Sequence, residues 1–68
     1  MRIQVTLNGV PRDFPAPLTF DQLLQEMELA GRRLAIERNG EIVPRSRFGD
    51  AHLADGDRVE VVVAVGGG

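Results

Sequence analysis

The sequence predicts an α+β fold: a mixed sheet with one helix packed on one face. Three observations predict it. Residues alternate apolar and polar at both ends of the chain, as a half-buried strand does. Two Asn-Gly pairs, Asn8-Gly9 and Asn39-Gly40, each stand between short strand-like runs. Between the hairpins lies one capped segment with helical spacing.

At the start, Ile3, Val5 and Leu7 point one way and Arg2, Gln4 and Thr6 the other. Asn8-Gly9 tolerates the positive φ of a two-residue hairpin turn, so Val10 to Phe14 returns antiparallel. Pro11 lacks an N–H, which places this second strand at an edge. Pro15 and Pro17 stop it.

Thr19-Phe20-Asp21-Gln22 reads as a capping box, with Leu18 and Leu23 at the staple positions. Phe20, Leu23, Leu24 and Met27 share one helical face. Gly31 fits a left-handed stop, and Arg32 and Arg33 suit the negative end of the helix. Leu34 to Glu37 reads as a third strand, and Glu41-Ile42-Val43 as its short hairpin partner, ended by Pro44. Arg45 to Ala54 is irregular, with room for one short turn. Asp55-Gly56-Asp57 reads as a hairpin turn. Arg58 to Val65 is the last strand, with Val59, Val61, Val63 and Val65 on one face and Arg58, Glu60, Val62 and Ala64 on the other.

The order is β-β-α-β-β-β. The cleanest patterning belongs to the first and last strands, which places them centrally. As neighbours they run parallel, and the helix supplies the crossover that parallel strands need. This is the β-grasp, or ubiquitin-like, arrangement. Residues 1–65 form its one domain, and residues 66–68 are expected to be a flexible glycine tail.

Composition excludes several function classes. The chain has no Cys, so thiolate chemistry, a zinc ribbon and a disulfide framework are all ruled out. Its net charge is -2 and its three Phe are its only aromatics, which argues against nucleic acid. The longest apolar run, Val61 to Val65, is too short to span a bilayer, and no signal peptide pattern opens the chain. A cytoplasmic location is expected.

Few side chains could carry chemistry. His52, Ser46 and Asp50 share the irregular segment, where they read as solvated loop residues rather than a triad. Asp55-Gly56-Asp57 lacks the further oxygen ligands of a calcium loop, and a phosphate loop of the Walker type needs a Lys that the sequence does not have. No metal and no cofactor of its own are expected. The terminus is different. Three glycines, Gly66, Gly67 and Gly68, follow directly on a Val-rich strand. Without side chains they can thread a narrow channel, and extended they reach roughly 10 Å. Adenylation with ATP by a partner would turn the poor carboxylate electrophile into an acyl anhydride open to attack by sulfur or an amine. Val62 and Ala64, on the sheet face away from the helix, are candidate docking residues beside the tail. Arg45 and Arg47 could steer an acidic partner.

The segment Leu34-Ala35-Ile36-Glu37-Arg38-Asn39-Gly40-Glu41-Ile42-Val43-Pro44-Arg45 resembles the central part of the ThiS family, the bacterial sulfur carriers of thiamin biosynthesis. Val43-Pro44-Arg45 is its most distinctive piece. Leu53 with Asp55-Gly56-Asp57-Arg58-Val59-Glu60 resembles the family's turn into the last strand, and Val63 to Gly68 resembles its C-terminus. Many members end in Ala-Gly-Gly; here Gly66 takes the Ala position, and the terminal pair maps to Gly67 and Gly68. The resemblance implies a carrier and cosubstrate, not an enzyme. A ThiF-like enzyme would use ATP to adenylate the Gly68 carboxylate, and sulfur from a cysteine desulfurase system would convert it to a thiocarboxylate. A ThiG-like thiazole synthase would then take that sulfur. The absence of Cys fits a carrier whose sulfur rides on a main-chain carboxylate.

Three other readings share the fold. A cousin could serve molybdopterin or another sulfur-containing metabolite. An interaction module could use the Val62 and Ala64 face with an inert tail. A ubiquitin-like modifier could join its terminus to lysines of target proteins.

Overall fold

Two left-handed Asn-Gly turns set the outer pairs of the sheet. In the computed structural model, which describes residues 1–65, Asn8 has φ 50° and Gly9 φ 84°, and Asn39 and Gly40 have 52° and 86°. Those angles match the two-residue turn that suits the twist of flanking strands. The first turn joins β1 (Arg2–Leu7) to β2 (Val10–Pro15), and the second joins β3 (Leu34–Arg38) to β4 (Glu41–Val43). Helix α1 (Phe20–Glu26) follows β2, a 3-10 turn spans Arg45–Arg47, and β5 (Arg58–Val63) closes the fold.

The strand order is β2-β1-β5-β3-β4. The first and last strands are central and parallel, with Thr6 beside Arg58 and Leu7 beside Val59. β2 is an edge strand, as its Pro11 requires. This is the mixed five-stranded β-grasp sheet that the pattern predicts.

One face of the sheet is covered by α1. Val5, Ile36 and Val59 from the three inner strands are fully buried against Phe20 and Leu23. The capping box forms: Gln22 N–H donates to Thr19 Oγ1 at 3.1 Å, and Thr19 N–H donates to Gln22 Oε1 at 2.8 Å. Phe48 and Leu53 from the irregular segment complete the core. Phe48 sits 6.3 Å from Phe20, ring centre to ring centre.

Three expectations change. The helix ends at Glu26, well before Gly31. Glu28, not a glycine, takes the left-handed position at φ 59°. Leu29 N–H donates to Leu24 O at 2.8 Å and Glu28 N–H to Gln25 O at 3.0 Å, the paired bonds of a Schellman stop. Leu24 is buried in the core and half-buried Leu29 packs against that core, the apolar arrangement that accompanies such a stop. Gly31 is left-handed too, but in the turn that follows, so Arg32 and Arg33 lie beyond the helix end.

Asp55-Gly56-Asp57 is not a hairpin turn, because no strand precedes it and β5 pairs with β1 and β3. It instead fastens the start of β5. Gln4 N–H donates to Asp55 Oδ1 at 2.7 Å, and Gly56 N–H donates to Gln4 O at 2.7 Å. Asp57 is buried and accepts from Asn39 Nδ2 at 3.1 Å and Ala54 N–H at 2.8 Å, and pairs with Arg38 Nε at 3.0 Å.

The last strand ends at Val63, two residues short of expectation. Val65, placed by alternation on the helix side, is 91% exposed. The reason is a loss of neighbours. β1 pairs with β5 only as far as Val59, and Asn8 Oδ1 adds one bond, accepting from Val61 N–H at 2.8 Å. β3 begins at Leu34 opposite Val63, so the ladder has no strand beside Val65.

Candidate functional site

The candidate site is the end of β5 and the sheet face around it. Gly66, Gly67 and Gly68, the expected tail, lie outside the described residues. The described chain leads to them through Val63, Ala64 and Val65. Ala64 N–H donates to Arg33 O at 2.9 Å. This bond continues the β3–β5 ladder one step past the last strand residue.

Val62 and Ala64 are exposed on the face away from α1, as alternation places them. Val62 is 62% exposed and pairs with exposed Ala35 of β3. Ile42 of β4, 64% exposed, lies on the same face opposite Glu37, which in turn lies opposite Glu60 of β5. Ala35 and Ile42 escaped the sequence reading. The signal was present: Val43 turns to the core, so its neighbour Ile42 must turn away.

The resulting strip is apolar, with a carboxylate pair beside it. Glu37 and Glu60 sit directly opposite each other, an unfavourable like-charge pairing for the free sheet. A shallow concavity bounded by Glu37, Gly40, Arg58 and Glu60 continues the face toward the start of β5. The surface offers a partner an apolar contact and two acceptors for basic groups.

The catalytic alternatives gain nothing from the geometry. Ser46 lies in the 3-10 turn and His52 in an isolated bridge to Thr19. Asp50 is engaged elsewhere, with its Oδ1 accepting from Arg47 Nε at 2.9 Å. Among the described residues, no hydrogen bond joins the Ser46 or His52 side chain to another group, and no cluster of three His, Asp or Glu gathers as a metal site. Arg47, expected as a steering charge, is paired with Asp50, while Arg45 donates to Arg32 O. Among the described residues, no helix is long and apolar enough to cross a membrane.

The family model for ThiS matches residues 5–68, a span that begins inside β1 and takes in the other four strands and the terminal glycines. The chain belongs to the ThiS family. The sulfur carrier protein ThiS of Bacillus subtilis is 38% identical over 50 residues, covering 74% of this chain and 76% of that protein. The crystal structure of the thiamine biosynthesis protein ThiS from Geobacter metallireducens superposes with a TM-score of 0.80 at 32% identity, covering 97% of this chain and all of the other. A thiazole synthase of Paramagnetospirillum magneticum is 41% identical over 66 residues. That match takes in 97% of this chain but spans only 20% of the synthase. The fold and the family expected from the sequence are thus those found. A sulfur carrier of thiamin biosynthesis is the function that goes with this ThiS-family membership.

Proposed function

We propose that this ThiS-family chain carries sulfur for thiazole formation on the carboxylate of Gly68. The observation that carries the reading is the family match itself, which extends through Gly66, Gly67 and Gly68. Gly68 is the group modified. Gly66 and Gly67 thread the partner's active site, and the strip of Val62, Ala64, Ala35 and Ile42 docks on the partner.

In the first step a ThiF-like adenylating enzyme joins the carboxylate to AMP, with pyrophosphate leaving from ATP. A persulfide from a cysteine desulfurase system then displaces AMP, and a thiol cleaves the S–S bond to leave a thiocarboxylate. A ThiG-like thiazole synthase takes the sulfur and returns the carboxylate. The similarity to thiazole synthases supports that last partner. The chain is a cosubstrate rather than an enzyme, it works in the cytoplasm, and ATP belongs to the partner. The 1–65 unit supplies docking and the three glycines supply reach.

The test is the intact mass after incubation with an adenylating enzyme, ATP and a persulfide source. A gain equal to one sulfur replacing one oxygen, located at Gly68, is expected. Deletion of Gly68 should abolish that gain while leaving the circular dichroism spectrum unchanged. A chain that never gains the mass, or gains it with Gly68 removed, overturns the proposal. Restored growth of a thiamin-requiring carrier mutant separates thiazole supply from a molybdopterin role.

A further inference from the structure

Arg45 stands first in the 3-10 turn, directly after Pro44, whose φ of -65° turns the chain out of β4. The residue is exposed, yet its guanidinium folds back along the surface. It lies over the Phe48 ring at 5.6 Å, and Phe48 is itself buried in the core against Phe20. From there Nη2 donates to the carbonyl of Arg32 at 3.2 Å. Among the described residues, neither ion pair uses Arg45.

The next carbonyl along, that of Arg33, accepts from Ala64 N–H at 2.9 Å. Two successive carbonyls thus link Arg45 on one side to the end of β5 on the other. That link matters because the β3 pairing of β5 ends at Val63 and its other side has no strand there. Its pairing with β1 stops at Val59, with Asn8 Oδ1 adding a bond at Val61. The Arg32–Arg33 segment precedes β3: Arg33 meets the sheet through the Ala64 bond, and Arg32 N–H donates back to Leu29 O at 3.0 Å, so the Arg45 bond adds a further hold at the Arg32 carbonyl.

We infer that Arg45 is a positioning residue: by holding the Arg32–Arg33 peptide it fixes the direction in which β5 hands the chain over to its reactive C-terminus. Stacking on Phe48 removes the freedom that an exposed Arg normally keeps, so the latch is preorganised. Preorganisation matters when a carboxylate must meet a phosphorus atom inside a partner's site, since small errors of placement cost large factors in rate. Val43-Pro44-Arg45, the segment carrying the family resemblance, thereby has a physical role. Val43 packs against the core, Pro44 turns the chain, and Arg45 braces the tail root.

The inference rests on the carrier reading for its kinetic arm but not for its structural arm. In the structural arm, amide exchange at Ala64 is compared in the full chain and in Arg45→Ala, Arg45→Gln and Arg45→Lys. Exchange at Ala64 should quicken about tenfold in Arg45→Ala, as expected for loss of one hydrogen bond to a charged group. The melting midpoint should barely move, because the side chain is exposed. In the kinetic arm, kcat for adenylation should fall about tenfold with KM unchanged, since the docking strip is untouched. Arg45→Lys should recover part of both effects and Arg45→Gln little.

Unchanged exchange at Ala64 in Arg45→Ala, with Arg45→Gln as the check if Ala lowers the midpoint, overturns the latch. A rise in KM at constant kcat also overturns it, because that would make Arg45 a direct partner contact. An unchanged kcat and KM would remove it from the reaction. Failure of wild-type chain to be adenylated at all counts against the carrier reading alone, and the Ala64 exchange still decides the latch.

Discussion

The two ends of β5 are built on opposite principles. The start is tied on both sides and from below. Thr6 N–H donates to Asp57 O at 2.9 Å, Asn39 N–H donates to Arg58 O at 2.8 Å, and the buried Asp57 carboxylate gathers Arg38, Asn39 and Ala54. The far end keeps a neighbour on one side only, and Val62, Ala64 and Val65 are exposed there while Val63 is half-buried. One strand thus runs from an anchor to a free surface. The fold concentrates its fastening at the start of the strand and leaves bare the end where the proposed docking strip lies.

The largest test of that contrast is removal of the anchor. Asp57→Ala leaves the Ala54 N–H and the Asn39 amide without their acceptor and strips Arg38 of its ion pair. Breaking a buried pair of this kind costs about 3 kcal/mol. A domain this small has only ~3–5 kcal/mol in total. Urea denaturation should therefore find the variant largely unfolded or nearly so. A loss under about 1 kcal/mol would mean that the turn, not the carboxylate, holds the start of the strand.

The next test compares faces within the anchored half. Val59 is fully buried beneath α1. Val59→Ala deletes two methyl groups at ~0.8 kcal/mol each and leaves a small cavity, for a loss of about 2 kcal/mol. The denaturation midpoint should fall with little change in slope.

The same contrast explains what the sequence could disclose. The Asn-Gly turns, the capping box and the alternation of Ile3, Val5 and Leu7 are local signals, read from residues a few positions apart. Each was legible because the physics that decides it is equally local. Asp57 looked like an ordinary turn residue because its partners Arg38 and Asn39 lie nineteen and eighteen positions away and are joined to it only by the β3–β5 pairing. Gly31 looked like the helix stop because Gly is the usual left-handed residue, while the stop at Glu28 goes with the packing of Leu29 on the core, which the local sequence does not show. Val65 joined the strand by pattern alone, since alternation cannot reveal that the neighbouring strand has already ended. In the site, alternation found Val62 and Ala64 directly. Ala35 and Ile42 needed the register of β3 with its two neighbours. Arg45 could be picked out as a residue of the family segment, but its reach to Arg32 O could not be.

The smallest effect on stability, and the sharpest on function, belongs to Val62. Val62→Thr keeps the β-branched shape that suits a strand and replaces one methyl with a hydroxyl. On an exposed face the change should alter stability by less than about 0.5 kcal/mol. If the strip of Val62, Ala64, Ala35 and Ile42 docks the adenylating partner, the same hydroxyl must be desolvated in the complex. That should raise KM for the carrier by about fivefold while leaving kcat alone, the reverse of the pattern expected for Arg45. Steady-state kinetics at several carrier concentrations read both numbers. An unchanged KM would separate the exposed face from partner recognition and leave the tail root as the part the partner reads. A KM effect at Val62 beside a kcat effect at Arg45 would divide the free end of β5 into a surface that binds and a brace that aims.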